Sequence, residues 1–127
     1  MTAHEFVAAA CGGPIEGYSE EEKVRKVAWL KAGAQLMRKL AKELGLEKGT
    51  YNARINPAGP ACSGDIHLHG DWIYVALEQG GIAGQFMWRY CDGQNDYTGH
   101  PNRWAYWPEL LELEDFANKI KAGRPRG

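Results

Sequence analysis

Apolar and polar positions repeat with two different periods along the chain, and the change of period falls at Gly45. At steps of about 100°, residues Trp29, Leu30, Ala34, Leu36, Met37, Leu40, Ala41 and Leu44 fall on one arc. Lys31, Gln35, Arg38, Lys39 and Lys42 fall on the opposite arc. This predicts an amphipathic helix over 19–44. Ser19 and Glu22 have capping-box spacing, Glu20 and Glu21 suit the positive end of the helix dipole, and Gly45 is a stop. Thr2 and Glu5 repeat the capping-box spacing, which predicts a short helix over 2–11, ended by Gly12, Gly13 and Pro14. The longer helix would span about 39 Å in a domain about 36 Å across, so it projects or bends near Gly33.

Beyond Gly45 the pattern has period two. Tyr51 to Ile55 reads as a short edge strand, and Asn56 to Pro60 as a rigid loop. Ile66 and Leu68 alternate with His67 and His69, and Gly70-Asp71 reads as a two-residue hairpin turn into a strand from Trp72 to Glu78. A glycine-rich connection over 79–84 leads to an aromatic strand from Gln85 to Cys91. A long polar loop from Asp92 precedes a brief strand at Trp104 to Trp107. After Pro108 a helix is predicted within 109–122, where Phe116 and Ile120 form an i, i+4 apolar pair. The expected fold is one α+β domain. Its three- to four-stranded antiparallel meander, within 51–107, packs on the long N-terminal helix and the C-terminal helix. Residues 1–18 add a short helix and loop, and the tail from Gly123 to Gly127 is expected to fray.

The turn fixes a register and therefore a face. With Gly70-Asp71 at the turn, His69 opposes Trp72 and His67 opposes Tyr74. The apolar set turns toward the helices, which leaves Asp65, His67, His69, Trp72 and Tyr74 outside. If Glu78 opposes Gln85, then Phe86, Trp88 and Tyr90 join the core, and Met87, Arg89 and Cys91 join the outer face with Arg89 near Tyr74. A surface of Trp, Tyr, Arg and His is a candidate binding patch, unless residues 2–18 or the loop over 92–103 cover it.

Composition narrows the function classes. The chain has 127 residues with 15 Lys plus Arg against 16 Asp plus Glu, a net charge of -1. That balance argues against a polybasic tail or an acidic nucleic-acid mimic. Three widely spaced cysteines, Cys11, Cys62 and Cys91, include no C-x-x-C pair, so reduced thiols in a cytoplasmic setting are expected. The first residues carry no basic, apolar leader pattern, and no membrane span is expected.

No catalytic motif is present: there is no G-x-S-x-G, Walker loop or dinucleotide fingerprint. His67 and His69 have His-x-His spacing on one strand face, which is a metal-ligand geometry, but two donors fall short of a site, so no metal or other cofactor is assigned. Asp92, Gln94 and Asp96 begin like a calcium loop, but Tyr97 stands where Gly is needed and Arg103 where Glu is needed. In the same loop Asp96, Tyr97, His100, Asn102 and Arg103 are candidate partner contacts. Lys31, Arg38, Lys39 and Lys42 form a basic helix face that suits phosphates, although basic residues near a helix C-terminus also suit its dipole.

From Lys42 to Phe116 the residues Gly64, Asp65, Leu68, His69, Tyr74, Val75, Cys91, Gly93, Asp96, Tyr97, Thr98, Gly99 and Asn102 carry a pattern. It resembles small phage- and prophage-encoded proteins with no assigned activity. The resemblance covers about three-fifths of the chain and implies a viral or mobile-element origin. It supplies no catalytic residue. The expected function is therefore that of a non-enzymatic protein that binds a host or phage macromolecule, an inhibitor of a host defence system being one such role. The expected contact residues are His67, His69, Trp72, Tyr74, Arg89, Asp96, Tyr97, His100, Asn102 and Arg103. Two alternatives stand beside it: a nucleic-acid module using Lys31, Arg38, Lys39 and Lys42, and a small metal enzyme around His67 and His69. A homodimer through the outer face is a further arrangement.

Overall fold

Three helices cover one face of a five-stranded antiparallel meander in the computed structural model, which describes residues 1–125. The expected fraying at Arg126 and Gly127 lies outside the described residues. The helices are α1 (Ala3–Cys11), α2 (Glu20–Glu43) and α3 (Leu113–Ala122). The strands are β1 (Tyr51–Asn56), β2 (Asp65–Gly70), β3 (Ile73–Leu77), β4 (Gln85–Tyr90) and β5 (Arg103–Tyr106), in that order across the sheet. The α+β class and the meander agree with the sequence. The sheet has one strand more than the expected upper bound, because the runs at both edges pair.

Both predicted capping boxes form. The Thr2 hydroxyl accepts from the Glu5 amide, and the Ser19 hydroxyl accepts from the Glu22 amide. At the other end of α2, Gly45 has a φ of 75°, and Leu46 N–H donates to Ala41 O at 2.9 Å. The backbone there needs the left-handed conformation that glycine adopts without strain.

Gly33 is a point of close approach. A Cβ there would lie 2.6 Å from Ile66 Cδ1 and 2.8 Å from a Phe6 ring carbon, so α2 crosses β2 and α1 over this bare backbone. The Phe6 ring stacks on Trp29 with 4.7 Å between centroids, and Trp29 Nε1 donates to Phe6 O at 3.2 Å. Phe86, Trp107 and Phe116 continue this core on the helix side toward the β5 edge.

The C-terminal segment is not one helix. Trp107–Leu111 forms a 3-10 turn with Pro108 in its first turn, and α3 starts only at Leu113. Proline has no N–H to give and its ring restricts the residue before it, so the chain enters this turn directly from the strand.

The β3–β4 register is the expected one: Tyr74 opposes Arg89 and Ile73 opposes Tyr90. The β2–β3 hairpin differs. His69 opposes Tyr74 and Ile66 opposes Leu77, so the turn is Asp71-Trp72 and Gly70 belongs to β2. The slip is two residues, which preserves the face of every paired side chain. It removes Trp72 from the outer face. Trp72 instead packs on the helix side, stacked on Tyr90 at 6.5 Å with the Arg124 guanidinium 4.1 Å from its ring.

Gln79, just beyond β3, ties the sheet to the N-terminal arm. Its amide donates to Ala10 O at 2.7 Å and Gly13 O at 2.8 Å, and its oxygen accepts from the Ser63 hydroxyl. That hydroxyl accepts in turn from the buried Ile15 amide.

Candidate functional site on the outer face of the sheet

Alternation along β2, β3 and β4 sends Asp65, His67, His69, Tyr74 and Arg89 to the face away from the helices. The 92–102 loop folds back across this face. Tyr97 is its roof: its ring meets His69 edge-on at 4.9 Å and Tyr74 at 6.3 Å. Arg89 donates to Tyr97 O and, at 3.4 Å, to Asn102 Oδ1, while its guanidinium lies 5.0 Å from the centre of the Tyr74 ring. Gln94 bridges Asn52 on β1 and Asp71 at the hairpin turn.

The loop holds its own shape through Asp96. Its carboxylate accepts from the Asp92 amide at 2.9 Å and the Thr98 amide at 3.1 Å. The Asp92 amide bond, and then that from Thr98, lower the Asp96 pKa below the ordinary carboxylate value. His100 closes the far end through Asp92, Nε2 to Oδ1 at 3.1 Å.

The roof divides the expected contact residues into two groups. His69 and Tyr74 are buried beneath it, at 1% and 7% exposure. His69 Nε2 donates to Gly93 O at 3.1 Å. Burial pushes the His69 pKa down, partly offset by the Gly93 carbonyl, and pushes the Tyr74 pKa up. Tyr97, Asn102 and Arg103 are exposed, whereas His67, Arg89, Asp96 and His100 are half-buried. Arg103 does not join the outer face. It opposes Trp88 and lies over the Tyr90 ring at 5.0 Å, on the helix side. Of the strand residues expected on the outer sheet face, namely His67, His69, Trp72, Tyr74 and Arg89, Trp72 is the one that lies elsewhere.

The metal pair of the sequence reading also separates. His69 points under the roof, while His67 turns toward the open end of β2. His67 Nδ1 lies 2.5 Å from the Tyr74 hydroxyl and its Nε2 pairs with Asp65. Among the described residues, the cluster able to hold an ion is Asp65, His67 and Glu78, without His69. Glu78 was missed because the two-residue slip had placed Ala76, not Glu78, opposite Asp65.

Two of the three thiols are engaged by backbone carbonyls; Cys62 Sγ donates to Gly59 O at 3.6 Å. Cys91 is buried and donates to Gly70 O at 3.3 Å, and burial raises its pKa, which keeps the thiol protonated. Cys11 and Cys62 are exposed and unbridged.

Two exposed aromatic residues escaped the sequence reading. Trp104 opposes Met87 and Tyr106 opposes Gln85, so both stand on the outer face at the β5 edge, 36% and 60% exposed. The alternation of Trp104 and Tyr106 with Ala105 and Trp107 carried that signal. The basic residues Lys31, Arg38, Lys39 and Lys42 are all exposed along α2, on the far side of the molecule from this face. No helix among the described residues is long and apolar enough to cross a membrane. No family model, no curated protein and no solved structure matches the chain.

Proposed function

We propose that the protein is a non-enzymatic binding module that recognises a partner protein through the outer face of its sheet. The observation that carries this reading is the presence of three exposed aromatic side chains on one face. Tyr97, Trp104 and Tyr106 share the outer face, at 48%, 36% and 60% exposure. Trp and Tyr contribute most where interfaces bury them, and each sits here on anchored backbone, β5 by its pairing with β4 and the loop by Asp96 and Arg89. The burial of His69 and Tyr74 gives these two residues a supporting role beneath the roof, and moves the contact surface to Tyr97 and the β5 edge. With the origin that the sequence pattern suggests, the partner is a host or phage macromolecule, and inhibition of a host defence component is the corresponding role.

The competing nucleic-acid reading uses the opposite side of the molecule, which makes the two separable. A tagged pull-down from host lysate, with and without nuclease, is the test. The proposal expects a stoichiometric, nuclease-resistant protein partner. Loss of all captured material after nuclease, with binding that weakens steeply with salt, would contradict it and favour Lys31, Arg38, Lys39 and Lys42.

A further inference from the structure

We propose that Asp65, His67 and Glu78 form a binding site for a divalent transition-metal cation of the zinc class. The site would sit at the open end of the β2–β3 pair. The cation site is independent of the partner-binding reading.

The register brings the three residues together. Ile66 opposes Leu77, so the next pair outward sets Asp65 beside Glu78, the residue directly after β3, while His67 follows Asp65 by two on the same face. One donor atom from each side chain lies within 4.8 Å of the others. Two carboxylates directly across neighbouring strands repel, with His67 Nε2 pairing to Asp65 in the metal-free state. A cation between them turns that repulsion into attraction.

The histidine is already oriented. Tyr74 is buried and its hydroxyl lies 2.5 Å from His67 Nδ1, which places Nε2 on the side of Asp65. Binding a cation at Nε2 would replace the Nε2–Asp65 hydrogen bond of the metal-free state and leave the ring proton on Nδ1, which then donates to the Tyr74 oxygen; this second hydrogen bond is the arrangement that fixes metal-ligating histidines. The backbone is equally fixed, because Gln79, the neighbour of Glu78, is tied to Ala10, Gly13 and Ser63. The Glu78 side chain is exposed and free to close on an ion, as zinc needs donors at about 2.0–2.2 Å.

The surroundings suit a cation of this class. An imidazole nitrogen with two carboxylate oxygens favours zinc-like ions over magnesium and calcium, which prefer all-oxygen sets. Three protein ligands leave a position open. A cavity of about 370 Å³ lined by Arg54, Asp65, His67, Tyr74 and Tyr97 adjoins the site. Arg54, which opposes His67 across β1, is the one cation in its lining, and it reaches away to the Tyr97 hydroxyl at 3.4 Å.

The test is titration of chelator-treated protein with Co²⁺, read by visible absorbance, and with Zn²⁺, read by calorimetry. Wild type is expected to take up one equivalent, with Zn²⁺ displacing Co²⁺ and Mg²⁺ failing to compete. His67→Gln and Glu78→Gln are each expected to weaken binding by about tenfold or more. Since Glu78 is exposed and its charge faces Asp65, Glu78→Gln should melt no lower than wild type in the metal-free state, and His100→Gln should bind like wild type. Absence of saturable one-equivalent binding by wild type would overturn the proposal. So would undiminished binding by both Glu78→Gln and His67→Gln, or binding lost on Cys62→Ser instead.

Discussion

The Tyr97 ring stands edge-on to the His69 imidazole, with 4.9 Å between centroids and 72° between planes. His69 belongs to β2 and Tyr97 to the loop after β4, so this contact turns a polar loop into the second cover of the sheet. The helices cover the other face. The outer face is therefore a wall with a roof, and the surface it offers is the roof and its β5 margin.

Removing the roof ring should loosen what lies beneath. Tyr97→Ala is expected to cost about 1–2 kcal/mol, the scale of its edge contacts with His69 and Tyr74. Chemical denaturation measures this. In a thiol-labelling assay, Cys11 and Cys62 should react first in wild type and Cys91 slowly. The Cys91 rate should rise in Tyr97→Ala. An unchanged rate would mean that the loop does not protect Cys91.

Gly33→Ala should reverse the usual sign for a helix interior. Alanine in place of glycine ordinarily stabilises a helix by up to about 1 kcal/mol. Here the added methyl meets Ile66 and Phe6 at 2.6 and 2.8 Å. Overpacking of this kind costs about 1–3 kcal/mol, so denaturation should show a net loss.

The alkaline limb of stability should depend on Tyr90. Burial raises its pKa above the ordinary value of 10.0, with Arg103 partly opposing, and its hydroxyl donates to Ile120 O at 2.7 Å. The folded state thus holds this proton more tightly than the unfolded chain does. The contribution is complete below pH 10.0 and is lost as pH rises through the folded pKa. Cys91 and Tyr74 shift in the same direction from 9.0 and 10.0, also through burial. Tyr90→Phe should cost about 1 kcal/mol at neutral pH and flatten the fall above pH 10. Denaturation at a series of pH values measures both.

Asp96 should govern the order of the loop. Its carboxylate receives the amides of Asp92 and Thr98, so Asp96→Ala should speed hydrogen exchange at both, while the amides of β3 keep their protection. In the wild type the same loss of protection, taken relative to intrinsic exchange at each pH, should appear on acidification below the ordinary carboxylate value of 3.8, because the Asp96 pKa is lowered and its contribution is lost only below that value.

Much of this architecture could be read from the chain, and the misses have physical causes. Capping residues Ser19 and Thr2 marked both helix starts, since a helix N-terminus needs its first amides satisfied locally. The alternation of Ile66 and Leu68 with His67 and His69 set the faces, and Tyr74 met Arg89 as expected. Gly70 misled because glycine suits turns, but here it is a strand residue where a side chain would press on Leu46, with Cβ 3.2 Å from its Cδ1. That one misplacement put Trp72 on the wrong face and hid the pairing of Asp65 with Glu78. The roof was illegible in detail, because no periodicity tells where a polar loop folds. The Asp96 acceptor and the Tyr97 ring decide that through tertiary contacts.

The most direct test of the partner-binding account is comparative capture with two surface variants. One carries Trp104→Ala and Tyr106→Ala on the outer face, and the other carries Lys39→Ala and Lys42→Ala on α2. All four positions are exposed, so both variants should fold. The account predicts that the aromatic variant loses its protein partner by at least about tenfold in affinity, as interface anchors do, while the lysine variant keeps it. Retention by the aromatic variant, with loss in the lysine variant, would contradict it.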